Sequence, residues 1–573
     1  MKNWIRCWRD CCELKVEDSI SATGNFQLSI LNMKLICNAR IRTLNPAQET
    51  ASALLIDRGE IVAVGGDELL DSRAEKFDLG GRVVLPGLTD AHIHLQYYAL
   101  GLQKIDCETS TLEECLRRVA ERVKTVGNDA WIMGHGWNQN QWGELTAKTA
   151  KNFNGDLSGK SLWPSASDLD SIAPNHPVYL TAKSLHAAWV NTAALKLAGI
   201  TSATPNPENG EIQRDEHGQP TGILLETAMD LVSAKIPQPS VDAVVESIRA
   251  AQTILWKMGL TGVHDFDRRI CFMALQQLHQ RGELKLRVVK NIPVDDLDHA
   301  HELGLRSGFG DHRLRIGNVK AFVDGALGPR TAAMFQPYLG EPENRGILNM
   351  DGEHLFEIAR RAADVGLAMT VHAIGDRANH EVLDAYEQLR GYERAHGLAH
   401  HRHRIEHVQV LHPDDAARLA QLDVIASMQP IHATSDMHMA DRYWGERVRL
   451  AYAWRTQLAH GARLAFGSDA PVESPNPFLG LYAAVTRRRA DESAESAGWV
   501  PEEKLSAREA VEAYTIGAAY AAGTESRLGR LAPGCLADLI VLEKDPFTCP
   551  AEELLAMQSS ATMVGGEWVW RSA

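Results

Sequence analysis

The chain lacks an apolar run long enough to cross a bilayer, which excludes a helical membrane span. It also lacks an excess of positive charge: 59 Lys and Arg stand against 74 Asp and Glu, a formal net charge of −15. Binding to nucleic acid through a basic surface is therefore disfavoured. There is no zinc-finger spacing, no Walker-type glycine loop, no internal repeat and no low-complexity tract. The nine cysteines, Cys7, Cys11, Cys12, Cys37, Cys107, Cys115, Cys271, Cys535 and Cys549, are odd in number and show no paired spacing. That argues against a disulfide framework and for a reducing compartment. The N-terminus carries charges where the apolar region of a signal peptide should lie. The expectation is a cytoplasmic protein with no membrane or nucleic-acid partner. What is present is ordinary globular composition, 45% hydrophobic and 23% charged, over 573 residues. That length is ample for two or three domains.

Residues 1–32 are rich in Cys and Trp without a clear period. They read either as an upstream extension, poorly ordered, or as a mis-assigned start with Met33 the natural one. Residues 33–84 and 530–573 both show short alternating runs punctuated by glycine, and are expected to pair into one β-sandwich. Gly565-Gly566 reads as a hairpin turn. Between them lie eight apolar runs, at 83–88, 259–265, 286–291, 316–323, 366–372, 403–408, 423–429 and 463–469. Helical patterns separate most of them, among them 354–366 and 412–422, the latter opening with Pro413 and two aspartates. Strand–helix alternation of this kind predicts an α/β chain, a (β/α)8 TIM barrel over 85–529. The gap after the first run is too long for one crossover, so an inserted subdomain is expected at about 105–245. Its 207–222 stretch reads as a turn-rich hairpin.

His92-Ile93-His94 closes the first barrel run. Histidines two apart on extended chain point the same way and suit a borderline metal such as Zn²⁺. Lys320, His372, His407 and Asp469 lie near the ends of other runs, where a barrel places its chemistry. Blander roles exist for each. Lys320 could pair with Asp324 or Asp90, and His372 could cap a turn. His407 could be a core histidine with Glu406 turned outward, and Asp469 could cap a helix before Pro471. His264 and His432 also fall near strand ends and read as supporting or substrate contacts. The histidine cluster at 396–404 precedes the sixth run and reads as a solvated face.

Eight stretches carry a family resemblance. They are PGLTDAHIHL (86–95), KSLHAAWVNTAAL (183–195), GQPTGILLETA (218–228), VKAFVDGALGPRTAAM (319–334), TVHAIGDRAN (370–379), HRIEHVQ (403–409), FGSDAPVESPNPFLGLYAAV (466–485) and GRLAPGCLADLIVL (529–542). The chain resembles the metal-dependent amidohydrolase superfamily, and within it amidohydrolase family 3, the YtcJ-like branch that includes N-substituted formamide deformylase. The resemblance implies hydrolysis of a non-peptide C–N bond in a small molecule, an amide, formamide or N-acyl compound. It implies divalent metal, Zn²⁺ expected, at about two ions per chain, with one as the alternative. His92, His94 and Asp469 would hold the more buried ion and His372 and His407 the second. Lys320 would bridge them as a carbamate formed with CO₂. A metal-activated hydroxide would attack, with Asp469 as general base. His186, Trp189, Arg330 and Arg377 stand in matching motifs as candidate substrate contacts. For Arg330 and Arg377, salt bridges with Asp324 and Asp376 are the alternative. Trp137 and Trp142 would wall an apolar pocket or simply fill the core. The same residues fit a cyclic amide or urea hydrolase, a heterocycle deaminase, or a decarboxylase or phosphotriesterase-like enzyme. An inactive metal-binding regulatory or scaffold protein is the reading from another class. The resemblance leaves a homodimer open.

Overall fold

A computed structural model describes residues 33–127, 130–138, 142, 163–182, 187–207 and 210–572. Residues 1–32, and so the question of Met33 as the start, lie outside the described residues, as does His186.

Eight strands form one parallel sheet in chain order: β1 (Leu88–Ile93), β2 (Leu260–Asp265), β3 (Arg287–Pro293), β4 (Leu314–Phe322), β5 (Met369–Ala373), β6 (Arg404–His407), β7 (Ile425–Met428) and β8 (Leu464–Phe466). The sheet closes just beyond β8. There the Asp469 N–H donates to the His92 carbonyl at 2.7 Å and the His94 N–H to the Ala470 carbonyl at 2.9 Å. The crossover helices follow apolar spacing. Helix Gly352–Asp364 starts at Asp351, whose carboxylate accepts from the His354 N–H at 2.9 Å. It buries Leu355, Ile358, Ala359, Ala362 and Ala363, one face of a 3.6-residue period. This is the expected TIM barrel with additional β-structure.

Two expectations need correction. The first barrel strand is not 83–88. Val83–Pro86 pairs with Leu539–Leu542 and Arg40–Arg42 in another sheet, and β1 begins only at Leu88. Pro86-Gly87 is the crossing point: proline offers no N–H to a ladder, and a Cβ on Gly87 would stand 2.3 Å from Thr261 Oγ1 of β2. The predicted helix at 412–422 is broken into a 3₁₀ turn, Pro413–Asp415, and a short α-turn, Arg418–Gln421. Asp415 is buried there, its carboxylate held by His380 and Arg418 at 3.0 Å each. That anchor fixes the turn on helix Asp376–Ala395 instead of letting it propagate.

Two further sheets bring the chain ends together. One orders Glu60–Gly65, Ala53–Asp57, Lys34–Cys37 and Glu75–Asp78; the other runs from Glu567–Arg571 through Ala561–Val564, Leu539–Leu542, Val83–Pro86 and Arg40–Arg42 to Thr50–Ala51. Ile36, Leu54, Val84, Leu539 and Met563 share one buried cluster between them. Gly565 and Gly566, with φ of 61° and 76°, make the tight turn before the last strand, a conformation that favours glycine. Between β1 and β2 lies a third, six-stranded sheet from Ile105–Asp106 to Pro220–Glu226, with Gly210–Arg214 and Pro220–Glu226 as an antiparallel hairpin. Among the described residues no helix is long and apolar enough to cross a membrane.

Candidate metal centre

The C-terminal ends of the barrel strands bring five of the six predicted ligands into direct side-chain contact. His92 ends β1, and its Nε2 lies 3.5 Å from Asp469 Oδ1; His94 Nε2 lies 3.4 Å from the same oxygen. Donor atoms of His92, His407 and Asp469 all fall within 4.8 Å of one another. The His407 ring centroid is 5.0 Å from that of His92 and 4.6 Å from that of His372. Lys320, in β4, is buried, and its Nζ has no hydrogen-bond partner among the described residues. The amine stands over two rings, 4.8 Å from the Phe266 centroid and 4.7 Å from that of Phe322.

Each histidine is oriented by the nitrogen it turns away from the centre. His92 Nδ1 meets Glu406 Oε2 at 2.6 Å, His94 Nδ1 meets Asp267 Oδ1 at 3.1 Å, and His407 Nδ1 meets Gln429 Oε1 at 2.8 Å. These three rings present Nε2 inward. His372 is the reverse: Nε2 lies 3.0 Å from the Gly325 carbonyl, which leaves Nδ1 free. Fixing the far nitrogen sets tautomer and ring direction, as metal-binding imidazoles require. Asp90 clamps the seam between β1 and the end of β8. It accepts from the His92 and Ser468 N–H groups at 3.0 Å each and from the Ser468 hydroxyl at 2.5 Å.

Burial drives the electrostatics. It lowers His92 to about 4 and His372 to about 3, so both rings are neutral at physiological pH. Burial acts on His94 too, but its hydrogen bonds to the Asp267 and Asp469 carboxylates outweigh it and raise the ring to about 9. Burial would push Asp469 up; His92, His94, His407 and His432 overcome it and hold the carboxyl well below its usual range. Lys320 is lowered to about 8 by burial, against the pull of Glu406 and Asp469. A buried donor left unpaired costs about 1–3 kcal/mol. An amine that is orphaned and readily neutral is also one able to add CO₂, whose carbamate would be an anionic oxygen ligand. Four imidazoles, one carboxylate and this lysine fit a divalent metal of borderline softness.

Sequence reasoning missed the residues behind the ligands. Glu406, turned outward only in the alternative reading of His407 as a core histidine, is fully buried and holds His92, Arg404 and Thr370. Neighbouring strand residues normally face opposite ways. Here His407 has a φ of 79°, which breaks the alternation and lets both residues serve the interior. Arg404 also bonds His264 Nδ1 at 2.9 Å, so His264 sits inside the barrel behind the candidate ligands. The 396–404 cluster is only partly a solvated face: His400 is exposed, but His403 is buried, with Nε2 on Glu393 at 3.0 Å. His432 does reach the centre. Its Nε2 is buried without a hydrogen-bond partner, 4.0 Å from Asp469 Oδ2. A signal existed for Glu406 and Arg404: both stand in the HRIEHVQ motif.

The substrate candidates scatter. Trp137, Trp142 and Trp189 cluster with ring centroids 6.1–6.3 Å apart, each buried. Their indole N–H groups donate to the Leu180, Thr109 and Ser165 carbonyls. Arg330 pairs with Glu341 at 2.7 Å, not with Asp324, and Arg377 reaches Glu381 at 3.6 Å, not Asp376.

The profile of the amidohydrolase family matches residues 75–570. The chain belongs to this family. Protein LONG AFTER FAR-RED 3 of Arabidopsis thaliana is 34% identical over 94% of this chain and 91% of its own. N-substituted formamide deformylase of Arthrobacter pascens is 30% identical over 93% of this chain and 97% of its own. Among solved structures, an uncharacterized metal-dependent hydrolase from Pyrococcus furiosus superposes with a TM-score of 0.73 at 30% identity, covering 90% of this chain and all of that one. Family membership and these neighbours support a hydrolase that acts on C–N bonds with the help of a divalent metal.

Proposed function

We propose that this protein hydrolyses a non-peptide C–N bond in a small amide, formamide or N-acyl compound. The observation that carries this reading is the convergence of Asp469 with His92 and His94, near the unpartnered Lys320 amine, at the catalytic end of a barrel. His92, His94 and Asp469 would hold one zinc ion, and His372 and His407 a second. Lys320 would bridge them once carboxylated. Bound zinc supplies Lewis acidity toward a carbonyl oxygen and makes water acidic enough to ionise near neutral pH.

The remaining work falls to the chain itself. Asp469 is ionised at neutral pH and sits between two imidazoles, so it can take a proton from the attacking water and return it to the leaving nitrogen. His432 faces Asp469 Oδ2 with a bare Nε2, placed to meet a polar group of the substrate or of the tetrahedral intermediate. Glu406, Asp267 and Gln429 keep the rings from turning. Arg330 and Arg377 keep 36% and 42% of their side chains exposed, which leaves them able to meet a substrate oxygen. The deformylase likeness directs the first assays to N-formyl amines.

The test is Asp469→Asn against wild type on a panel of N-formyl and N-acyl amines, with metal content measured on the same samples. The reading expects wild-type turnover and a loss of about 10²–10⁴-fold in kcat for the variant. Equal turnover in the two proteins would refute it.

A further inference from the structure

A cavity of about 230 Å³ lies at the opposite end of the barrel from the candidate metal centre. Gly87, Thr261, Arg287 and Arg315 line it from the starts of β1 to β4, and the chain from Thr515 to Arg530 closes it. Its charge runs against that of the whole protein. Four arginines, Arg287, Arg315, Arg527 and Arg530, line it together with two aspartates, Asp311 and Asp538.

Both aspartates are already engaged. Asp538 is gripped by the Arg287 guanidinium, with Nη2 to Oδ1 at 2.6 Å, and accepts from the Gly565 N–H at 2.8 Å. Asp311 accepts from the Arg313 and Leu314 N–H groups at 2.7 and 3.0 Å and meets His279 Nε2 at 3.0 Å. The other three arginines are not saturated. The Nε atoms of Arg315, Arg527 and Arg530 are all shielded from solvent and have no hydrogen-bond partner among the described residues. Arg315 spends one Nη on the Gly308 carbonyl at 3.0 Å, and Arg527 spends one on Glu60 at 2.6 Å. Arg530 makes no hydrogen bond or ion pair with any described residue. Like charges gathered around a cavity with unmet buried donors are unfavourable unless an anion joins them. Guanidinium forks match carboxylate and phosphate oxygens in pairs.

From this we infer that the cavity binds a small oxyanion, a phosphate- or carboxylate-bearing metabolite, through Arg315, Arg527 and Arg530. The site is separate from the metal centre. His264, which lines the cavity, is bonded to Arg404, and Arg404 to Glu406, so a buried polar plug stands between the two.

The experiment is isothermal titration of the metal-loaded, full-length protein with inorganic phosphate and, separately, with succinate. Wild type is compared with Arg530→Ala and Arg530→Lys. Arg530 makes no hydrogen bond or ion pair with any described residue, so the alanine variant should fold; if it does not, the lysine variant carries the test by keeping the charge and losing the fork. Saturable binding of either anion, weakened at least tenfold in the tested variant, supports the site, and the tighter of the two anions names the ligand's headgroup. Anion binding that is equally strong in wild type and variant would place the anion on the metals and overturn the inference. Absence of saturable binding to wild type would overturn it as well.

Discussion

At the residue scale, the centre depends on protons as much as on ligands. His94 is held near 9 by Asp267 and Asp469 and is therefore protonated at neutral pH before metal arrives. A metal held as proposed would have to displace that proton, whereas His92 and His372, lowered by burial, have none to give. Apparent metal affinity should thus rise with pH, at least about tenfold per unit below pH 8, where Lys320 must also lose a proton to form the carbamate, and level off near pH 9. Chelator-competition titrations at several pH values would show this slope; an affinity flat with pH would contradict the assignment of His94. Glu406 orients His92 at 2.6 Å without reaching the metal position itself. Glu406→Gln should weaken metal binding about 10–100-fold while the fold survives, read by the same competition assay with circular dichroism as control. Unchanged affinity would mean that Glu406 serves only the barrel core.

At the element scale, buried polar pairs fix where helices and strands meet. Glu393, near the end of helix Asp376–Ala395, bonds Arg390 at 2.7 Å and His403 at 3.0 Å. His403 Nδ1 in turn accepts from the Met369 N–H at 3.0 Å, so one carboxylate ties the helix to the beginnings of β5 and β6. Burial alone would raise Glu393; its bonds to His403 and Arg390 overcome this and lower it to about 2. A depressed carboxyl contributes stability that is full above its unfolded value, near pH 4.3, and is lost as pH falls through about 2. Glu393→Gln should cost about 3 kcal/mol at pH 7, and the gap to wild type should close between about pH 4 and pH 2. Urea unfolding at both ends of that range would measure it, and a gap independent of pH would count against the linkage.

At the scale of the whole molecule, the barrel was legible because its period is strong: apolar runs alternate with amphipathic helices, and seven of the eight expected runs overlap the strands that form β2 to β8. The first strand was misplaced because the apolar run ends at Leu88, whereas β1, Leu88–Ile93, carries the polar Thr89, Asp90 and His92, and the Pro86-Gly87 crossing hands the apolar Val83–Pro86 to another sheet. The candidate ligands were legible because histidine, lysine and aspartate at strand ends stand out in motifs. The supporting residues were not, since Glu406, Asp267 and Gln429 act through pairings 314, 173 and 22 residues apart that appear only when the barrel forms. The basic cavity was equally hidden, because its arginines come from β3, β4 and a segment more than two hundred residues later. The proposed metal centre stands or falls with its Lys320 bridge. Metal content of purified wild type and Lys320→Ala, measured by mass spectrometry, tests that bridge. About two ions per wild-type chain are expected, with a loss of at least one in the variant. One ion per chain, unchanged by the substitution, would contradict it.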